Sequence, residues 1–179
     1  MAETIDVLNE KGVKTGHIAT RTEVHQKGLW HRAVIVCVIN DNNEILMQRR
    51  SLNKEKYPGL WDISVAAHVR SGEDAISTAS RELNEEINIP IEYTTQIRDF
   101  RYITSFINQH VVGNLIENQF YDLFVIRRNI ETTQLNYTDD EVMDAKWVNY
   151  VGLQELLKEK VLHPRLEWVD EVVRYINRF

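Results

Sequence analysis

The chain has 179 residues, enough for one domain with a full hydrophobic core and short for two, so a single domain over 1–179 is expected. Hydrophobic residues at 43% and charged residues at 27% exclude a disordered or fibrous chain. A net charge of −6, with Lys and Arg scattered rather than gathered in a stripe, excludes the electrostatic footprint of a nucleic-acid polymer partner.

Thr4 to Leu8 and Gly16 to Thr20 flank the polar turn Asn9-Glu10-Lys11-Gly12, which predicts an N-terminal hairpin over about 4–20. Ala33 to Ile39 is rich in Val and Ile and too short for a typical helix, so it reads as a strand. This is the longest purely apolar run and falls far short of the roughly 20 residues that cross a bilayer. The N-terminus carries no signal-peptide pattern, so a cytoplasmic protein without a membrane partner is expected. Cys37, the single cysteine, lies inside the strand and reads as a buried structural thiol. The Asn136-Tyr137-Thr138 sequon reads as a chance occurrence.

Asp41-Asn42-Asn43 breaks the strand before a second one at Ile45-Leu46-Met47. Ser51 to Gly59 is polar and ends in Pro58-Gly59, a surface loop, and Leu60 to Val65 runs apolar again. The period then changes. Ala75, Ile76, Ala79, Leu83 and Ile87 fall on one face of a helix from about Asp74 to Ile87, with Ser71 and Asp74 resembling a capping box and Pro90 as the stop. Strands are expected over Tyr93 to Phe106, Glu117 to Ile126 and Val142 to Val148, and helices over Val151 to Leu157 and Pro164 to Tyr175. Strands interspersed with helices point to an α/β sandwich around a mixed sheet.

On the first long helix, Glu82, Glu85 and Glu86 stand at i, i+3 and i+4 and crowd one surface about a quarter turn from the apolar face. Such a cluster suits Mg²⁺ or Mn²⁺, hard cations that prefer oxygen ligands and are shared between carboxylates and substrate phosphates. The spacing by itself favours a solvated acidic helix surface over a metal site.

The wider segment Gly72-Glu73, Arg81-Glu82-Leu83-Asn84-Glu85-Glu86-Ile87-Asn88-Ile89 resembles the Nudix box, G-x5-E-x7-R-E-U-x-E-E-x-G-U, over about 67–89. Ala67 and Asn88 stand where that pattern has glycine. The resemblance implies a Nudix-like α/β/α sandwich and a hydrolase of diphosphate linkages in a nucleoside-diphosphate-type or other organic diphosphate. It further implies metal ligands at Glu82, Glu85 and Glu86, with Arg81 and Glu73 holding loop and helix in register. A box glutamate, or a later carboxylate among Glu117, Asp139, Asp140 and Glu141, is the expected proton acceptor.

His31-Arg32-Ala33, Arg49-Arg50-Ser51, Tyr57-Pro58-Gly59-Leu60-Trp61 and Ala67-His68 extend the resemblance to the branch that includes type I isopentenyl-diphosphate isomerase. That branch implies a second metal site, to which His25, His31, His68 and Glu117 correspond, with structural roles for these histidines as the alternative. Ala66 stands where the isomerase pattern has a catalytic cysteine, and Gln119 where it has a further glutamate. Hydrolysis is therefore favoured, with isomerisation and non-catalytic diphosphate binding as the alternatives. Trp61 and Tyr57 read as buried aromatic anchors, stacking on a base or prenyl group being the other reading. The oligomeric state stays open.

Overall fold

A computed structural model describes residues 2–89, 99–135, 141–164 and 166–178. The expected hairpin is formed by β1 (Thr4–Leu8) and β2 (Lys14–Thr20), which pair antiparallel. A helix follows that the hydrophobic pattern did not predict, α1 (Arg21–Lys27). Thr20 caps its start by accepting from the Glu23 N–H at 3.2 Å, and Gly28 ends it at φ 61°. Both ends follow the usual capping chemistry.

The sheet is built on β3 (His31–Ile39), which runs parallel to β8 (Leu115–Arg127) through nine consecutive residue pairs. β4 (Ile45–Arg50) and β6 (Val65–His68) pair antiparallel with β3, β7 (Arg101–Val112) pairs antiparallel with β8, and β5 (Trp61–Asp62) and β9 (Val142–Val148) pair antiparallel with β4. The strand order is β5-β4-β3-β8-β7, with β6 paired to the first half of β3 and β9 to β4. Gly113 and Asn114 form the two-residue turn between β7 and β8, where Gly113 supplies a φ of 59° that fits the twist of the hairpin.

Strand alternation splits the core in two. Ala33, Ile35, Cys37 and Ile39 point to one face, against Leu153 and Leu156 of α3 (Tyr150–Lys158) and Trp168 and Val172 of α4 (Glu167–Ile176). Val34, Val36 and Val38 point to the other, against Ala79, Leu83 and Ile87 of α2 (Ala75–Ile87). The expected α/β sandwich around a mixed sheet is therefore present, with β3 and β8 buried on both faces as parallel strands require. Each fully buried aliphatic side chain contributes about 1.5–3 kcal/mol relative to exposure. Cys37 is fully buried in the first core, where burial pushes its thiol far above the usual range.

Several boundaries differ from the sequence reading. The last helix starts at Glu167 rather than Pro164, with Glu167 and Asp170 in its first turn near the positive end of the helix dipole. Pro90, Tyr93 to Arg98, the sequon at 136–138, Asp139 and Asp140 lie outside the described residues. Among the described residues, no helix is long and apolar enough to cross a membrane.

Candidate active site

Helix α2 is set by its own sequence. Asp74 is the N-cap, accepting from the Ser77 N–H at 2.7 Å. Ser71 takes no part in that cap, because its hydroxyl donates instead to Asp6 Oδ1 at 2.8 Å and ties the loop to the N-terminal hairpin. At the other end Asn88 adopts φ 53°, and its N–H reaches the Asn84 carbonyl at 3.1 Å. Asparagine thus meets the left-handed requirement at the position where the box has glycine. Ala67 lies in β6 opposite Val34 and needs no positive φ, so the alanine is accommodated as ordinary strand.

Arg81 binds Glu73 in a fork, Nε to Oε1 and Nη2 to Oε2, both at 3.0 Å. Its Nη1 donates to Glu82 Oε1 and, at 2.8 Å, to Glu85 Oε2. These carboxylates hold the guanidinium pKa above its ordinary value despite partial burial. Burial would raise Glu73, but Arg81 and Thr78 outweigh it and hold the carboxyl below the usual range. The fork thus joins Glu73, just ahead of α2, to Arg81 on the helix.

The metal-binding candidates sit beside this brace. Glu82 and Glu86 are buried, at 9% and 6% exposure, although both are carboxylates. Burial pushes Glu82 up, and the neighbouring Glu85 adds to that push against the attraction of Arg81. Burial raises Glu86 much further, reinforced by the charges of Glu141 and Glu82. Gln48 Nε2 donates to Glu86 Oε2 at 3.1 Å and fixes its orientation. Glu82, Glu85, Glu86 and Glu141 line one cavity of about 150 Å³ with Lys54 and Arg70 at its margin. Of the later carboxylates, Glu141 joins the cluster; its Oε1 accepts from Lys54 at 2.7 Å.

Glu117 lies elsewhere. It sits with His25 from α1, His31 from β3 and His68 from β6, whose ring nitrogens lie within 4.8 Å of one another. His31 Nδ1 donates to the Leu29 carbonyl at 2.9 Å, which leaves Nε2 as a lone pair. Gln119 Nε2 donates to Nε2 of His31 at 3.0 Å and of His68 at 3.3 Å, while Tyr121 donates to Gln119 Oε1 at 2.7 Å. Burial lowers His31 to about 4 and His68 well below its ordinary value, so both rings are neutral near pH 7. Burial would raise Glu117, but His25 and the Lys56 ammonium hold it well below the carboxylate range. His25 Nδ1 stands 3.3 Å from Glu117 Oε2, too poorly aligned to form a hydrogen bond.

His25 and His68 line a second cavity of about 110 Å³, and Arg21, Lys54, Ala66, Ala67 and His68 line both cavities. The acidic cavity and the basic one are thus contiguous. Ala66 faces this cleft without a thiol, whereas Cys37 is buried in the core between β3 and the last two helices. Trp61 is a buried anchor, 9% exposed, with the Lys146 ammonium 4.2 Å from its ring. Tyr57, by contrast, is only half buried and lines the basic cavity. Sequence reasoning missed Arg21, Gln48 and Lys54. The T-x-x-E capping signal at Thr20 to Glu23, with Gly28 as the stop, pointed to α1 and its Arg21.

Comparison with known proteins bears on the family and the fold. The family model of the NUDIX domain matches residues 29–171. Nudix hydrolase 3 of Arabidopsis thaliana is 32% identical over 161 residues, covering 88% of this chain, which spans only 21% of that longer protein. Isopentenyl-diphosphate Delta-isomerase 2 of Photorhabdus laumondii is 34% identical over 140 residues, 78% of this chain and 73% of its own length. A crystal structure from Deinococcus radiodurans shares the fold with a TM-score of 0.70 and 18% identity, covering 98% of each chain. With the box glutamates gathered on α2 beside a basic cleft, and the domain match spanning most of the chain, this protein belongs to the NUDIX family.

Proposed function

We propose that the protein hydrolyses a small organic diphosphate in the cleft formed by the two cavities, with Glu82, Glu85 and Glu86 holding Mg²⁺ or Mn²⁺. The observation that carries this reading is the burial of Glu82 and Glu86 against Glu141 with raised affinity for protons. Buried carboxylates that repel one another need a compensating cation, and an all-oxygen donor set suits a hard one. A divalent ion held there would neutralise the diphosphate and acidify a water molecule.

The chain's own residues supply the rest. Arg81 and Glu73 hold the helix and loop so that the carboxylates converge, and Gln48 fixes the direction of Glu86. Arg21 and Lys54, at the boundary of the two cavities, supply positive charge for the phosphates. Glu141 is the proton acceptor best supported among the later carboxylates, since it faces Glu86 across the cleft. The imidazoles of His25, His31 and His68 would suit a second, softer cation, and the hydrolysis does not draw on it.

The test is steady-state phosphate release from a panel of diphosphates with Mg²⁺ or Mn²⁺, comparing wild type with Glu85→Gln and Glu86→Gln. Each substitution removes a ligand charge while nearly preserving shape, and a loss of about 100-fold or more in turnover is expected. Near wild-type turnover by both variants, with normal metal binding, would overturn the assignment of this helix face.

A further inference from the structure

The basic cavity has a wall that neither the α2 carboxylates nor the histidine cluster provides. Tyr57 and His163 both line it, with ring centroids 4.5 Å apart and planes at 70°. They come from segments distant in sequence. Tyr57 belongs to the loop after β4, and His163 to the stretch between α3 and α4.

Both are held in place by the backbone. The Trp61 N–H donates to the Val161 carbonyl at 2.8 Å and the His163 N–H to the Trp61 carbonyl at 2.7 Å, so residues 161–163 run alongside β5 as a short parallel bridge through Leu162. This stitching brings His163 to the cavity at 7% exposure. Tyr57 sits at φ 52°, a left-handed backbone that aromatic residues rarely adopt, immediately before Pro58. Arg50 secures it there: Nε donates to the Tyr57 carbonyl at 3.2 Å and Nη2 to the Lys56 carbonyl at 2.9 Å. The loop is therefore a fixed surface, and its aromatic ring is presented to the cavity by a conformation that few residues tolerate.

Charge decides what this wall meets. Lys56 is committed to Glu117, and Arg50 to loop carbonyls and Asp62, so the cations nearest Tyr57 are already partnered. A diphosphate lying over Arg21, Lys54 and the carboxylate cavity directs its remaining, organic end into the basic cavity, where Tyr57 and His163 present ring edges and faces. Such a pair favours a planar or unsaturated group through offset or edge-to-face contact.

We infer that Tyr57 and His163 form the specificity-determining wall of the substrate site, contacting a planar or unsaturated organic group attached to the diphosphate. This rests on the reading of the cleft as a diphosphate site. Segment 161–163, far in sequence from the glutamate helix, then selects among organic diphosphates without taking part in phosphorus chemistry.

The experiment is equilibrium binding by calorimetry, with Ca²⁺ as the oxygen-ligated cation, of isopentenyl diphosphate, ADP-ribose and inorganic pyrophosphate. Wild type is compared with His163→Gln and with Tyr57→Asn, chosen because asparagine accepts the left-handed backbone. Whichever organic diphosphate binds wild type most tightly is expected to lose at least about tenfold in affinity in each variant, while pyrophosphate stays within about twofold. The inference is overturned if pyrophosphate loses as much as the organic ligand, if neither loses, or if wild type binds the organic ligands no more tightly than pyrophosphate. Thermal midpoints identify a variant that fails to fold, in which case the other decides. Glu86→Gln, assayed for turnover in parallel, separates the two readings: retained turnover there would remove the catalytic assignment, while the wall is judged on binding alone.

Discussion

Glu86 experiences burial and two neighbouring carboxylates, all favouring its protonated form. In metal-free protein the folded state therefore keeps a proton that the unfolded chain has released above its ordinary pKa of 4.5. A state that binds more protons gains from acid, so stability falls as pH rises from about 4.5 through the raised folded value. Glu82 adds in the same direction. The increase in melting temperature on adding Mg²⁺ is accordingly expected to be larger at pH 8 than at pH 5, and equal increments would argue against ion binding by these carboxylates. Arg81 gives a second residue-scale prediction. Its fork on Glu73 and its bonds to Glu82 and Glu85 need a planar group with several donors, which lysine lacks. Arg81→Lys is expected to lower turnover about tenfold or more, with a smaller effect on stability of about 1–2 kcal/mol. Unchanged turnover beside a shifted denaturation midpoint would reduce Arg81 to a structural brace.

At the scale of elements, α2 and α1 make an instructive pair. All the box residues on α2 were legible in the sequence, because i, i+3 and i+4 spacing fixes their relation whatever the helix packs against. Helix α1 was missed because seven residues with Val24 as the buried aliphatic carry little periodic signal. Its punctuation was nonetheless present, with Thr20 and Glu23 at the start and Gly28 at the end. Gly28 matters beyond capping. It holds φ 61°, its carbonyl accepts from Asn118 Nδ2 at 2.7 Å, and an added Cβ would stand 2.8 Å from Ile116 Cγ2. That side chain belongs to β8, so the turn cannot yield without displacing the strand that carries Glu117 and Gln119. Gly28→Ala is expected to destabilise the protein by about 1–3 kcal/mol, measured by chemical denaturation. A change within about 0.5 kcal/mol would show that α1 is loosely attached.

The whole molecule determines which chemistry the cleft supports. The proposed hydrolysis draws on the carboxylate cavity, which gathers Glu82, Glu85, Glu86 and Glu141, whereas allylic proton transfer of the isomerase kind lacks its thiol at Ala66. Cys37 lies in the core with its thiol held protonated by burial. The purified protein is therefore expected not to interconvert isopentenyl and dimethylallyl diphosphates, and isomerisation above about 1 s⁻¹ would refute this. The sequence by itself determined the α/β class, the strand at residues 33–39 and the amphipathic helix, which follow from local periodicity, and the Glu73, Arg81, Glu82, Glu85 and Glu86 pattern, which its resemblance to the Nudix box singles out. Only the tertiary structure decided which other residues complete the site. Pairing of Arg50 with Val142 sets Glu141 beside the box glutamates, and the parallel register of His31 with Gln119 sets an amide between two imidazoles. The bridge of Trp61 to Leu162 brings His163 to Tyr57. Each of these contacts joins segments far apart in the chain, and their proximity comes from strand register and burial on the two faces of the sheet, which no local pattern of residues encodes.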